Sequence, residues 1–184
     1  MTPQTPSHPV LQRVKKHFHS LSLQVTEFRG QVSLIAPLDD VHDILQFLRE
    51  DPVCDFDSLV DVTAVDYLAY PAEMPGRFSV TWILASAVLA TRLVVRTFLD
   101  PSRETSGADR DPALEVDSCT DIWPGGEWRE REVWDMYGIW FRNHPDPRRI
   151  LTWEDYPAFP LRKDYPLRGR GERELYRVLG RDVT

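Results

Sequence analysis

The last 43 residues, from Arg142 onward, restrict the possible folds of this 184-residue chain more than any other segment. Prolines recur along it, at Pro145, Pro147, Pro157, Pro160 and Pro166. Each proline lacks a backbone N–H and biases the residue before it toward an extended conformation, which excludes a regular helix or a central strand over most of the segment. Residues 142–184 are therefore predicted to form an extended C-terminal arm.

The arm and the segment before it are rich in aromatic side chains. Ten aromatic residues lie among the 43 positions from Trp123 to Tyr165, where the 11% of the whole chain predicts about five. The arm also carries ten basic and seven acidic side chains, although the whole chain has a net charge of -7. Aromatic residues and arginine are enriched at the centres of protein interfaces, and a long irregular segment is not expected to bury them against itself. We therefore expect the arm to lie along a partner's surface; the alternative is that it packs back on its own domain.

The side chains expected to contact that partner are the large aromatic and basic residues in and next to the arm: Trp140, Arg148, Arg149, Trp153, Tyr156, Phe159, Arg162, Lys163 and Tyr165. A nucleic acid is not expected as the partner, because neutralising phosphates needs a basic protein and this chain has a net charge of -7. A membrane span is not predicted either, since the longest apolar stretch, Trp82 to Ala90, has nine residues and a span needs about 20. No secretory signal is visible, which indicates a cytoplasmic protein.

Residues 10–141 are predicted to form one α+β domain, preceded by a flexible tail at residues 1–9. The patterns follow the order α-β-β-α-β-β-β, typical of a two-layer domain with two helices on a mostly antiparallel sheet. Val41, Ile44, Leu45 and Leu48 form a helical stripe, with Asp39 as the expected N-cap, and a hairpin is expected to turn at Arg29-Gly30. Residues 100–112 form a polar excursion, after which Leu114 to Val116 is expected to return to the sheet.

A further helix is predicted over residues 128–137, ending at Gly138. On it, Arg131 and Asp135 stand four residues apart and can pair. Glu130 and Glu132 point in different directions, which disfavours a catalytic carboxylate pair. His144 is expected to donate a hydrogen bond to a backbone carbonyl rather than bind a metal, since no metal-ligand spacing surrounds it. A pair such as Arg148 and Arg149 is usually solvated, but here it could instead hold the carboxylates of a partner or the acids of this helix by bidentate hydrogen bonds.

The segment E-R-E-V-W-D-M-Y-G-I-x-F-x-x-H-P-D-x-R-R-I-L, Glu130 to Leu151, closely resembles the signature of the 30 kDa subunit of respiratory complex I. We call it the signature segment; its matching positions are Glu130, Arg131, Glu132, Asp135, Gly138, Ile139, Phe141, His144, Arg148, Ile150 and Leu151. F-D-x-L-x-D-x-x-x-V-D-Y at Phe56 to Tyr67 and F-P-L-R-K-D-Y-P-L at Phe159 to Leu167 also resemble the family. The resemblance covers roughly Val10 to Leu167.

The resemblance implies a structural subunit that holds no cofactor of its own. The assembled NADH:quinone oxidoreductase would contain FMN, iron–sulfur clusters and quinone, would pump protons, and would lie on the cytoplasmic side of the inner membrane. In that family the extended C-terminal segment lies against the 49 kDa-type subunit, which is therefore the expected partner. Two alternatives are the equivalent subunit of a related complex (a membrane-bound hydrogenase, a ferredoxin–plastoquinone or an F420H2 oxidoreductase) and a free-standing enzyme that uses Glu132, Asp135 and His144.

Overall fold

The computed structural model describes residues 9–101 and 110–171. Residues 1–8 of the predicted N-terminal tail, most of the polar excursion and the end of the arm lie outside these residues. The described helices are α1 (Pro9–His17), α2 (Val41–Glu50) and α3 (Glu127–Tyr137). The strands are β1 (Gln24–Phe28), β2 (Gln31–Ile35), β3 (Ser58–Asp66), β4 (Phe78–Ser86), β5 (Thr91–Leu99), β6 (Glu115–Asp117) and β7 (Trp140–Arg142).

Five strands form the main sheet in the order β1-β2-β5-β4-β3. All neighbours are antiparallel except β2 and β5, which run parallel. The hairpin of β1 and β2 turns at Arg29 (φ 51°) and Gly30 (φ 80°), as predicted, because two positive φ values give a turn whose twist matches that of the strands. The predicted mostly antiparallel α+β fold is confirmed.

One face of the main sheet forms the core. Phe78, Val80, Trp82 and Leu84 alternate along β4 and are completely buried, as strand periodicity requires. The apolar stripes of α1 and α2 and Val133 of α3 belong to the same apolar cluster. The helices thus cover a single face of the sheet.

Two predictions about individual elements are wrong. Asp39 does not cap α2; a short 3-10 turn, Leu38–Asp40, leads into the helix, and Asp40 precedes it without a side-chain cap bond. The segment predicted to return to the sheet instead forms β6, which pairs in parallel with β7 in a separate two-stranded sheet. The partners Val116 and Phe141 are both buried, so this pairing fixes the end of α3 against the core.

Candidate functional site: the buried carboxylates that hold the arm

Asp135, on α3, is the point at which the arm is attached to the domain. Its carboxylate is completely buried and accepts hydrogen bonds from Arg149 Nη1 (2.7 Å) and from the backbone N–H groups of Ile150 (3.0 Å), Leu151 (2.6 Å) and Thr152 (2.8 Å). The Thr152 hydroxyl donates to it as well. Five donors from four consecutive residues therefore converge on one side chain.

These donors decide the charge state of Asp135. Burial alone would raise the pKa of the carboxyl, but hydrogen bonds from Thr152, Arg149 and Leu151 outweigh it and hold the pKa below its ordinary value. The group is therefore ionised at neutral pH, and its charge is matched by the Arg149 guanidinium. The structure therefore shows Arg149 bound to an acid of this helix.

Arg131 does not pair with Asp135, although helical spacing allows it. Arg131 instead donates to the backbone carbonyls of Arg148 (2.9 Å) and Arg149 (3.3 Å) and lies 3.6 Å from Asp146. Asp146 also accepts two hydrogen bonds from the exposed Arg148, at 2.6 and 2.7 Å. Helical spacing shows which side chains can meet, but the arm supplies both residues with other partners.

His144 fixes the turn that begins the arm. Its Nδ1 accepts a hydrogen bond from the backbone N–H of Asp146 (3.1 Å), so the ring proton is on Nε2, which donates to the carbonyl of Glu127 (2.9 Å). The sequence-based interpretation of this ring as a donor to a backbone carbonyl is therefore confirmed. Both ring nitrogens are engaged with the backbone, and neither is left for a ligand.

Glu130 lies on a different side of α3 and points into the domain. It is completely buried, and its carboxyl oxygens accept from Ser118 Oγ (2.6 Å) and from the backbone N–H of Cys119 (2.7 Å). Burial raises the pKa of Glu130 above its ordinary value, even though these two donors and the nearby His144 act in the opposite direction. Glu130 thus joins α3 to the loop after β6.

Gly138 marks the point where the arm crosses the end of α3. Its φ is 73°, the left-handed conformation predicted for a helix C-cap. A Cβ atom at this position would lie only 2.5 Å from the Phe159 ring and 2.6 Å from Arg162 Nη2. Glycine is therefore required both by the backbone conformation and by the close approach of the arm.

Several aromatic and basic residues of the arm pack on their own domain. The Phe159 ring lies 5.4 Å from Trp134, and the Arg149 and Arg162 guanidinium groups lie over Phe159 at 5.1 and 4.5 Å. Arg162 also donates to the carbonyl of Tyr137 (2.6 Å). The expectation that such residues cannot be buried within the same chain is wrong for this inner face of the arm.

A second buried carboxylate, Asp66 at the end of β3, holds the far part of the arm. It accepts from Arg77 Nη2 (3.0 Å) and from the backbone N–H of Lys163 (2.8 Å), while Asp164 also pairs with Arg77 (3.0 Å). Burial would raise the pKa of Asp66, but the bonds from Arg77, Lys163 and Leu68 hold it below its ordinary value. Asp135 and Asp66 together fix the path of the arm across α3.

The outer surface of the arm carries exposed side chains. Leu151 is 62% exposed and Leu161 is 47% exposed, and the side chain of Arg148 is 74% exposed. Lys163 is also exposed, whereas Trp140, Trp153, Tyr156 and Tyr165 are half-buried. Ile139 and Phe141, by contrast, belong to the core. The predicted partner-facing residues are thus divided between the inner and outer faces of the arm.

The residues of the enzyme alternative do not form a common site. Glu132 is exposed, Asp135 is enclosed by donors from the arm, and His144 is bonded to two backbone groups. Within residues 9–101 and 110–171, no group of three or more metal-ligating side chains comes together. None of the helices described is long and apolar enough to cross a membrane.

Some residues that bind the buried carboxylates were missed by reasoning from sequence alone. Thr152 lies one position beyond the signature segment, and Ser118 and Arg77 carry no motif of their own. Asp66 had a visible signal, because it belongs to the F-D-x-L-x-D-x-x-x-V-D-Y match, but nothing in the sequence connected it with Lys163, 97 positions later.

Comparisons with known proteins agree with this architecture. Residues 34–171 match the model of the family described as respiratory-chain NADH dehydrogenase, 30 Kd subunit. The chain is 39% identical over 165 residues to a subunit of the NADH-quinone oxidoreductase of Geobacter sulfurreducens, with 90% of this chain and 92% of that protein covered. It is 39% identical over 159 residues to the corresponding subunit of Bartonella tribocorum, with 84% and 71% covered.

Solved structures show the same fold. A trypsin-resistant fragment of Nqo5 matches with a TM-score of 0.61 and 25% identity, over 75% of this chain and 96% of that one. A chain of an archaeal membrane-bound sulfane sulfur reductase complex matches in fold with a TM-score of 0.67 and 21% identity, over 96% and 94%. By sequence, this chain belongs to the family of the 30 kDa subunit of respiratory-chain NADH dehydrogenase.

Proposed function

We propose that this chain is a structural subunit of a proton-pumping NADH:quinone oxidoreductase and that the outer face of its arm docks on the large 49 kDa-type subunit of the quinone module. In this proposal the chain holds no cofactor and has no activity alone. Electrons pass from NADH through FMN and iron–sulfur clusters in other subunits to quinone. The assembly lies on the cytoplasmic side of the inner membrane, and this chain touches the membrane only through it.

The observation that carries the docking proposal is the contrast between the two faces of the arm. Buried carboxylates hold the inner face on α3, so the backbone of the arm has a fixed path. The outer face presents exposed leucines beside arginine, a combination of apolar surface and strong hydrogen-bond donors suited to a protein interface. An open cleft of about 360 Å³ between Trp134, Arg148 and Glu154 adds a concave surface at the same place.

The equivalent subunit of a related complex remains the second candidate. A chain of the archaeal sulfane sulfur reductase complex has the same fold, so the fold alone does not select an electron donor. A membrane-bound hydrogenase, a ferredoxin–plastoquinone oxidoreductase or an F420H2 oxidoreductase would differ from the lead proposal in the subunits that co-purify with this chain.

The docking proposal is tested by a double variant, Leu151→Asp with Leu161→Asp, expressed in the source organism. Both side chains are exposed in the chain, so its thermal unfolding is expected to change little. Two charges placed in an apolar interface are expected to reduce the amount of chain in the purified complex by at least about tenfold. The measurement is the ratio of this chain to the 49 kDa-type subunit after native purification.

The matched control is Val88→Asp with Leu89→Asp, which places two charges on exposed positions of the turn between β4 and β5. The control is expected to assemble normally. Normal assembly of the arm variant would contradict docking through the outer face. Truncation after Phe141 is a less specific test, because it also removes every donor to Asp135 from the arm.

A further inference from the structure

One side of α3 is covered neither by the core nor by the arm. Trp128 and Glu132 lie on it, four residues and one helical turn apart, and both side chains are exposed. The Trp128 side chain is 69% exposed, whereas the five other tryptophans of the chain are buried or half-buried. The first two turns of α3 therefore present a large aromatic ring beside a carboxylate.

The arm extends this exposed side by one further turn. The backbone N–H of Leu151 donates to the Asp135 carboxylate (2.6 Å), and the backbone N–H of Leu161 donates to the carbonyl of Met136 (3.1 Å). Asp135 and Met136 follow Glu132 by three and four positions, so both leucines lie next to the turn that follows Glu132. We call this row of exposed side chains the outer strip; it consists of Trp128, Glu132, Leu151 and Leu161.

Glu132 differs from the other acids of the signature segment. Glu130, Asp135 and Asp146 each accept hydrogen bonds from groups of the same chain. Among residues 9–101 and 110–171, nothing forms a hydrogen bond or an ion pair with the Glu132 carboxylate. The packing of the described chain therefore makes no use of this charge, which is available to a partner.

We infer that the docking surface of the arm continues along α3, so that the subunit that binds Leu151 and Leu161 also binds Glu132 and Trp128. That partner presents a lysine or arginine to the Glu132 carboxylate and, one helical turn away, an apolar pocket to the Trp128 ring. The inference rests on the proposed function, because its partner is the subunit on which the arm docks.

The chemistry of the outer strip favours a protein surface that is apolar and basic. Tryptophan is among the residues that contribute most to binding energy at protein interfaces, and a charge without a partner selects the opposite charge across an interface. A nucleic acid or an anionic membrane would be repelled by Glu132 and by the net charge of -7. A basic side chain set between apolar groups matches the whole row, because Glu132 lies between Trp128 and the two leucines.

Hydroxyl-radical labelling of Trp128 tests the inference in the wild-type chain. Its oxidation rate is measured in the purified complex and in the free chain at two concentrations, with an added peptide that calibrates the radical dose. We expect the rate to fall at least about fivefold in the complex and to be the same at both concentrations of the free chain. An unchanged rate in the complex would overturn the inference. So would a fall on concentrating the free chain, which would assign the surface to a second copy.

Competition for assembly gives the second test. A tagged variant is co-expressed with a differently tagged wild-type chain, and the ratio of the two tags is compared between the purified complex and the whole lysate. Trp128→Ala and Glu132→Lys are each expected to be at least about tenfold depleted from the complex.

The matched controls are Phe28→Ala and Glu27→Lys. Phe28 is 70% exposed, nearly the same as Trp128, and Glu27 is exposed as well. Both lie on β1, at the edge of the main sheet opposite to β3, beside which α3 packs. We expect both controls to compete equally with the wild type, and all four variants to unfold thermally like it, because every substituted side chain is exposed. Equal incorporation of Trp128→Ala and Phe28→Ala would overturn the inference.

The two proposals fail separately. Full incorporation of Trp128→Ala and Glu132→Lys, together with depletion of the double variant Leu151→Asp with Leu161→Asp, overturns only the continuation of the docking surface along α3. A chain that purifies without the 49 kDa-type subunit overturns the proposed function. The labelling of Trp128 in whatever assembly holds the chain then decides independently whether the outer strip is an interface.

Discussion

Strand β4 buries four apolar side chains completely, whereas the arm is attached to the domain through the two carboxylates Asp135 and Asp66. Apolar burial is not directional. When one core side chain is shortened, its neighbours relax partly into the space and reduce the loss of stability. A carboxylate that gathers several donors is directional, and its removal leaves all of them unpaired at once. The attachment of the arm therefore depends on fewer and more directional contacts than the packing of the sheet.

Among the variants that test this comparison, Asp135→Ala is expected to cause the largest loss of stability. The variant leaves Arg149 and three backbone N–H groups without their acceptor, and removal of one partner of a buried ion pair costs about 3–5 kcal/mol. We expect the loss to appear as rapid hydrogen exchange in residues 147–165, with slower exchange preserved in β4. The measurement is hydrogen–deuterium exchange together with denaturant unfolding.

Leu84→Ala is the matched variant in the sheet, where a large-to-small change in a core costs about 2–5 kcal/mol. It is expected to accelerate exchange throughout the domain through global unfolding, without selective release of the arm. Equal exchange patterns for the two variants would show that arm and sheet unfold as one unit.

Gly138→Ala is expected to have the next largest effect. The left-handed conformation costs a non-glycine residue about 1–2 kcal/mol, and the new methyl group must also displace Phe159. Gly30→Ala isolates the first contribution, because Gly30 has a φ of 80° and no atom within 4 Å of a Cβ. The difference between the two losses of unfolding free energy therefore measures the cost of displacing Phe159 and Arg162 from the end of α3. A difference of zero would mean that the arm accommodates the added methyl group without cost.

The pH dependence of stability is expected to distinguish Glu130 from the acids that hold the arm. Because the folded protein has a raised pKa at Glu130, it keeps a proton that the unfolded chain has lost as the pH rises above 4.5. Stability from this group therefore falls as the pH increases through that window. Asp135 and Asp66 have lowered pKa values, so their contribution is present above the ordinary aspartate pKa and is lost as the pH falls through the folded values.

Glu130→Gln tests this assignment, because its amide can still accept from Cys119 and can donate to Ser118 Oγ. Relative to this variant, the wild type is expected to lose stability progressively as the pH rises from 4.5. Denaturant unfolding between about pH 4 and 8 gives the comparison, with Glu132→Gln as the control. A constant difference across this range would contradict the raised pKa of Glu130.

The smallest effect is expected for Glu132→Ala. This side chain is exposed, and the described part of the chain gives it no hydrogen bond or ion pair. Exposed substitutions of this kind usually change stability by less than about 0.5 kcal/mol. A thermal unfolding curve that matches the wild type would confirm that Glu132 has no structural role within the chain, and a large loss would contradict it.

Predictions from sequence were correct where a pattern of residues close together in the chain determines the structure. The stripe of α2, the alternation of β4 and the turn at Arg29-Gly30 each depend on residues that lie close together in the chain. They were wrong where short segments find partners far away. β6 and β7 have three residues each, too few for a readable alternation, and their pairing depends on α3 lying between them.

The candidate site shows the same division. The roles of Gly138 and His144 follow from neighbouring residues, the helix end and the turn before Pro145. The partners of Asp135 do not follow from neighbouring residues. Helical spacing suggests Arg131, four residues earlier, as its partner, whereas the folded arm supplies Arg149 and three backbone N–H groups. Which face of the arm is buried is likewise decided by tertiary packing, and aromatic composition alone does not reveal it.

Because Asp135 accepts hydrogen bonds from main-chain N–H groups, the side chains of the arm can be substituted without loss of its attachment. Ile150 and Leu151 donate through their backbones, so almost any side chain placed there leaves the attachment intact. An inserted or deleted residue between Gly138 and Ile150 would instead carry the donors out of reach. Substitutions at Leu151 can therefore change which partner surface the arm fits, provided that the number of residues between Gly138 and Ile150 stays constant.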